Sequence, residues 1–182
     1  GKPTLRGRIV SFFSQNYGLG IAAALEDLSL PVNELVYELA NLDAGFRFSN
    51  EEDRWKGRIP LACRECYGDT TVSGYLESGI PPRYGAGAER VVNAMHLVPS
   101  DKGSWVTEFL GSGDIDRAII EWRSLLRQIK YAPELEWSRW RELQELSGEI
   151  LAETESPTLD ELPPLEYNQR ERVDHQLRLK SY

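Results

Sequence analysis

Ile115, Ile119, Trp122, Leu126 and Ile129 recur at steps of four, three, four and three. That spacing gathers all five side chains on one side of an α-helix but scatters them over both faces of a strand, so it predicts a helix over residues 114–131. Asp114 or Ser112 caps its first turn and Pro133 stops it. An apolar seam along about 27 Å of helix must be covered by other elements, and helical spacing is what the rest of the chain offers. Residues 134–153 carry Trp140, Leu143, Leu146 and Ile150 on an otherwise charged helix. Residues 18–28 place Leu19, Ala22, Leu25 and either Ile21 or Leu28 on one face, Ser29-Leu30-Pro31 breaks the chain, and Asn33 caps a second helix bearing Leu35, Val36, Leu39 and Leu42. Further helices are expected over residues 59–67, over 88–97 with Val91, Val92 and Met95 inward, and over 105–110. Residues 8–13 read either as a short strand or as the end of another helix. The fold class is therefore all-α, a multi-helix bundle, with that N-terminal strand as the one open alternative.

Between the periodic segments lie a long irregular connector and an extended tail. Residues 43–57 read as a loop, and residues 68–88 hold Gly68, Gly74, Gly79, Pro81, Pro82, Gly85 and Gly87, leaving room for at most a short helix near residues 73–76. The expected organisation is one helical domain over residues 1–153, with the connector at 43–88, followed by a tail at 154–182. Pro157, Pro163 and Pro164 keep the tail extended, with a short helical stretch after Asn168, and Leu159, Leu162, Leu165 and Tyr167 are spaced for docking across the domain surface.

With 182 residues the chain buries a core without staples. Two cysteines make no disulfide framework, and no apolar run is long enough to span a bilayer, so no membrane partner is expected. The polar start has no apolar segment behind it of the kind that marks a secretory signal, which points to the cytoplasm. Twenty-one Lys and Arg against 29 Asp and Glu leave a net charge of −8. Taken whole, such a chain is repelled by phosphate backbones, which argues against a free-standing nucleic-acid-binding domain but not against a local basic face.

Cys63-Arg-Glu-Cys66 is half of a zinc site at most, since no other cysteine exists and His96 and His175 are distant in sequence. It also lacks the preceding strand of a thioredoxin-like motif, so both cysteines are read as structural and no metal is expected. Gly85-Ala86-Gly87-Ala88-Glu89 precedes a helix but is neither a P-loop nor a dinucleotide fingerprint, and Glu89 stands where a phosphate needs positive charge. His96 and His175 have no acid or nucleophile at meaningful spacing and are expected to face solvent or pack loosely. Glu26, Asp27, Glu34, Glu38, Glu51, Glu52 and Asp53 are read as solvated helix faces, and Trp122, Trp137 and Trp140 as core residues rather than base-stacking platforms. No catalytic residue emerges, so this chain alone is not expected to be an enzyme; a small enzyme built on Cys63 or Cys66 is the weakest alternative. What remains is the one basic strip: Arg123, Arg127 and Lys130 on one face of the seam helix, with Arg117 in its first turn and Asp114, Asp116 and Glu121 among them. It is either a solvated face with salt-bridge partners or a set of phosphate contacts.

Gly113-Asp114-Ile115-Asp116-Arg117 followed by Leu125-Leu126-Arg127-Gln128-Ile129 resembles the C-terminal helical domain, called DSHCT, of superkiller-type DEAD/DEAH-box RNA helicases. Residues 6–10, 20–27 and 31–36 also resemble the start of that domain, most of all in bacterial and plastid relatives. The resemblance covers residues 6–152, within which residues 43–99 have no counterpart. It implies a helical accessory domain behind two ATPase lobes, bordering the path of single-stranded RNA. It further implies that ATP and Mg belong to motor lobes of the same polypeptide, because GxxxxGK[ST] and DExH motifs are absent from this chain. Its partners would be RNA, those motor lobes and further proteins, and Arg117 would lie toward the RNA with Arg123, Arg127 and Lys130 behind it. Where relatives carry a second basic residue one turn after the first, this chain has Glu121, and a carboxylate there costs phosphate affinity. The alternative is a helical protein-interaction scaffold with no nucleic-acid role.

Overall fold

The computed structural model describes residues 1–14, 17–68, 84–98 and 102–155, and among them every regular element is helical. In chain order these are α1 (Leu5–Phe12), α2 (Tyr17–Glu26), α3 (Val32–Glu38), a 3-10 turn (Leu39–Leu42), α4 (Gly45–Phe48), α5 (Glu51–Arg54), α6 (Arg58–Tyr67), α7 (Ala88–Leu97), α8 (Lys102–Trp105), α9 (Ser112–Tyr131) and α10 (Ser138–Glu153). The expected short helix at residues 73–76, and the tail beyond residue 155, lie outside the described residues.

The N-terminal alternative resolves to a helix. Thr4 caps α1 by accepting from the Gly7 amide at 3.0 Å, which commits residues 5–12 to helical geometry before any strand partner is met. α2 then crosses α1 so closely that a Cβ on Gly18 would fall 2.5 Å from the Val10 Cα. Gly18, Gly20, Ile21, Ala22, Ala23, Ala24 and Leu25 are all buried, so α2 is enclosed on every side by α1, α6 and the 3-10 turn rather than amphipathic. Its small residues make that enclosure possible.

α9 and α10 form a helical hairpin against this group. All five seam residues of α9 are buried, and the Trp122 indole N–H donates to the Val36 carbonyl at 2.7 Å, tying α9 to α3. Trp140 on α10 is fully buried under Phe12 and Phe13, whose rings lie 6.0 and 6.3 Å from it, so α10 closes the bundle over α1. Gly111 rather than Ser112 is the N-cap of α9, and Asp114 accepts from its amide at 3.0 Å.

Four local expectations are corrected. Asn33 is inside α3, which starts directly after Pro31 with no side-chain cap. Residues 43–57 are not a bare loop, since α4 and α5 form there, the latter capped by Asn50 accepting from the Asp53 amide. The helix expected over residues 105–110 lies earlier, at Lys102–Trp105, because Thr107 takes the amides of Phe109 and Leu110 on its hydroxyl and bends the chain. α10 begins at Ser138, four residues later than expected, and Leu135 is buried in the loop that precedes it.

Candidate nucleic-acid interface

α9 buries one side and turns Arg117 out to solvent. Each of the three acids on this helix is engaged elsewhere. Asp114 is spent on the Gly111 amide. Asp116 forms an ion pair with Lys102 of α8. Glu121 accepts from the Arg47 guanidinium at 3.0 Å, with both side chains largely shielded from water. Burial pushes the Glu121 carboxyl above its ordinary range and the charge of Asp43 adds to this, while Arg47 opposes both. α4 makes the contact possible by carrying Arg47 in its last turn. The carboxylate that counted against a phosphate path beside Arg117 is thus matched by a cation that sequence reading missed. A depression of about 310 Å³ opens beside it, with Leu39, Ile120 and Leu125 as apolar wall and Asp43, Glu121 and Gln128 as polar lining. Two carboxylates make that lining unfit for phosphate, and Arg117 is not among the residues that line it.

The other basic residues do not continue the strip. Arg123 stands six positions, about 600°, beyond Arg117, roughly a third of a turn away around the helix. It is 3% exposed, and its guanidinium donates to the Thr154 hydroxyl, which in turn donates to the Ile150 carbonyl at 2.7 Å. The expectation that Arg123 is a surface contact is therefore corrected: it binds α9 to the end of α10. Arg127 is half-buried beside it, and Lys130 is exposed with its ammonium 5.0 Å from the centre of the Tyr131 ring. Arg123, Arg127 and Lys130 line a second depression of about 140 Å³ together with Leu151 and Glu155. Arg117 and these three residues form two separate places.

The remaining motifs fall into structural roles. Cys63 is buried, and the half-buried Cys66 thiol donates to Glu26 at 2.9 Å. Burial, reinforced by that carboxylate, pushes the Cys66 thiol up to about 11, the opposite of an activated nucleophile. Among the described residues no group of three or more His, Cys, Asp or Glu side chains is arranged to hold a metal. Gly85 packs backbone against backbone, since a Cβ on Gly45 would sit 2.6 Å from its nitrogen and one on Gly57 2.2 Å from its oxygen. Gly87 adopts φ 101°, and the α7 terminus it precedes is filled from within the chain: Glu89 accepts from the Gly87 amide at 2.6 Å and Asn41 from the Ala88 amide at 2.9 Å. The Gly87 and Ala88 amides are therefore already taken by side chains of this protein.

His96 is corrected from a solvent-facing or loosely packed residue to a bridge. Its ring is mostly buried, with Nδ1 2.8 Å from the Tyr37 hydroxyl and Nε2 2.8 Å from the Glu153 carboxylate. Partners 59 and 57 residues away leave no local signal. His175 lies outside the described residues. Among the acids, Glu26 pairs with Arg6 and Asp27 with Arg58, Asp53 pairs with Lys56, and Glu34 and Glu52 are exposed. Glu38 instead faces Glu89 across Asn41. The Glu51 side chain lies outside the described set. Among the described residues no helix is long and apolar enough to cross a membrane. Compared with protein-family models, with curated proteins and with solved structures, the chain matches none of them.

Proposed function

We propose that this chain is the C-terminal helical accessory domain of an ATP-dependent RNA helicase, bordering the path of single-stranded RNA and supporting the motor lobes of the same polypeptide. The observation that carries the proposal is the charge pattern of α9: Asp114, Asp116 and Glu121 are each engaged, by the Gly111 amide, Lys102 and Arg47, while Arg117 stands exposed. A guanidinium presented on a rigid, buried-seam helix is well suited to a phosphate, and the acidic surface elsewhere limits contact to this edge. Arg127 and Lys130 lie farther round α9 and contribute at most a second, separate contact. ATP and Mg belong, on this reading, to the motor lobes. The complete reading frame provides a direct test, because it should encode GKT or GKS and DExH motifs ahead of this domain. A frame without them removes the helicase assignment.

The scaffold alternative rests on Phe109, 90% exposed on the turn that Thr107 organises, where an aromatic anchor can enter a partner's pocket. Phe109→Ala abolishing capture of a protein partner, with RNA affinity unchanged by Arg117→Ala, would favour it.

A further inference from the structure

The segment that enters α7 is a wedge between two other parts of the chain. Gly85 lies backbone to backbone against Gly45, at the start of α4, and against Gly57, just ahead of α6; a Cβ on Gly87 would fall 2.7 Å from the carbonyl oxygen of Phe48, the last residue of α4. One carboxylate pins this wedge. Glu89 accepts on the same oxygen from the Gly87 amide at 2.6 Å and from the Asn41 side-chain amide at 2.7 Å. The same Asn41 nitrogen also donates to Glu38 of α3 at 2.9 Å. Its two hydrogens diverge by about 120°, so the two acceptor oxygens stand about 5 Å apart. Both glutamates are half-buried, and such a pair sits comfortably only while one member is protonated.

We propose that Glu38 and Glu89 form a proton-operated latch: loss of a proton from Glu38 expels Glu89 from Asn41 and Gly87, releases the wedge, and loosens α4 together with its Arg47–Glu121 pair. The geometry decides which carboxylate yields. Glu38 is three residues from Asn41 in one continuous helical run, and Arg58 of α6 attracts it once it is ionised. Glu89 reaches Asn41 from 48 residues away and leaves by side-chain rotation alone. Its departure strips the Gly87 amide of its acceptor, and a buried donor without one favours a shift of the backbone that carries it. α4 follows, because a four-residue helix has little stability of its own and depends on what packs against it. Arg47, in its last turn, is the residue that meets Glu121 at 3.0 Å. Burial, and after it the charge of Glu89, push the Glu38 carboxyl up to about 7, with Glu34 of α3 adding to this and Asn41 and Arg58 opposing it. The latch is therefore shut below that pH and opens above it. This coupling follows from packing and charge within the chain and stands whether or not α9 meets RNA.

Nuclear magnetic resonance of the full 182-residue chain between pH 5 and pH 8 tests the latch. The backbone amide signals of Gly85, Gly87 and Ala88, those of α4 and the Arg47 side-chain signal should move together with one midpoint near 7. Protection of the Gly87 amide against hydrogen exchange, corrected for the intrinsic rate, should fall about ten-fold over the same range, and by more than that of the core amide of Leu126. Glu38→Gln keeps an acceptor for Asn41 and Glu89→Gln keeps one for Gly87, and each should abolish both responses. Movement confined to the neighbours of Glu38, with Gly87 and Arg47 still, overturns the proposal. So does the native response persisting in either variant, or a loss of protection equal at Gly87 and Leu126, which is global destabilisation without a latch.

Discussion

Asn41 is 1% exposed and stands between two carboxylates, donating from one amide nitrogen to Glu38 at 2.9 Å and Glu89 at 2.7 Å while its oxygen accepts the Ala88 amide. Burial, and after it the charge of Glu89, push the Glu38 carboxyl up to about 7. Its folded value lies above its unfolded one, so the folded chain keeps a proton that the unfolded chain has released. The stabilisation is full below the unfolded value, near 4.5, and is lost as pH rises through about 7. We expect the melting temperature to fall between pH 5 and pH 8, and Glu38→Gln, which still accepts from Asn41, to flatten that dependence and to be more stable at pH 8 by on the order of 2 kcal/mol. Thermal denaturation of both proteins across that range checks this; parallel curves would contradict it. At Trp122 the structure adds a hydrogen bond to the burial expected from its spacing. Trp122→Ala should cost about 3–5 kcal/mol in denaturant unfolding, and a loss below about 1 kcal/mol would be incompatible with a core position.

At the scale of elements, helices with a one-sided apolar stripe were legible. α7 occupies residues 88–97 as its spacing indicates, and α9 differs from expectation by two residues at its start. α2 was found but its role was not, because a helix of Gly, Ala and Leu surrounded on all sides carries no polar face to read. α4 and α5 were missed because a four-residue helix has almost no periodicity, and α4 is held by the backbone approach of Gly45 to Gly85 forty residues away. Arg139 shows the same limit. Sequence marks it only as one charge on a charged helix, yet from α10 it donates to the carbonyls of Leu25 at 2.8 Å and Leu30 at 2.6 Å, and more weakly to Ala24 and Asp27, closing the C-terminus of α2. Arg139→Met keeps the stem and removes these donors, and should destabilise the chain by about 2–3 kcal/mol. The expected loss is read by chemical denaturation, with hydrogen exchange at the last turn of α2 accelerating; an unchanged midpoint would mean that water replaces the guanidinium at no cost.

For the whole molecule, the all-α class followed from helical spacing repeated along the chain, whereas the site was only partly visible. Four basic residues of α9 could be named from sequence, but their division into an exposed Arg117, a buried Arg123 and a half-buried Arg127 beside an exposed Lys130 depends on where α10 ends and on the Thr154 hydroxyl. Glu121 looked adverse because Arg47, 74 residues away and on an element without periodicity, could not be paired with it in advance. In an acidic molecule these local pairings bear on where a polyanion can approach, and the proposed RNA path runs past Arg117. The most direct measurement is the affinity of the chain for a single-stranded oligoribonucleotide as a function of salt, for the native protein and for Arg117→Ala. We expect several-fold weaker binding for the variant at low salt, an unchanged melting temperature, and a log–log salt slope shallower by about 0.7, the loss of one phosphate contact to a single strand. Equal affinities and equal slopes for the two proteins would contradict it.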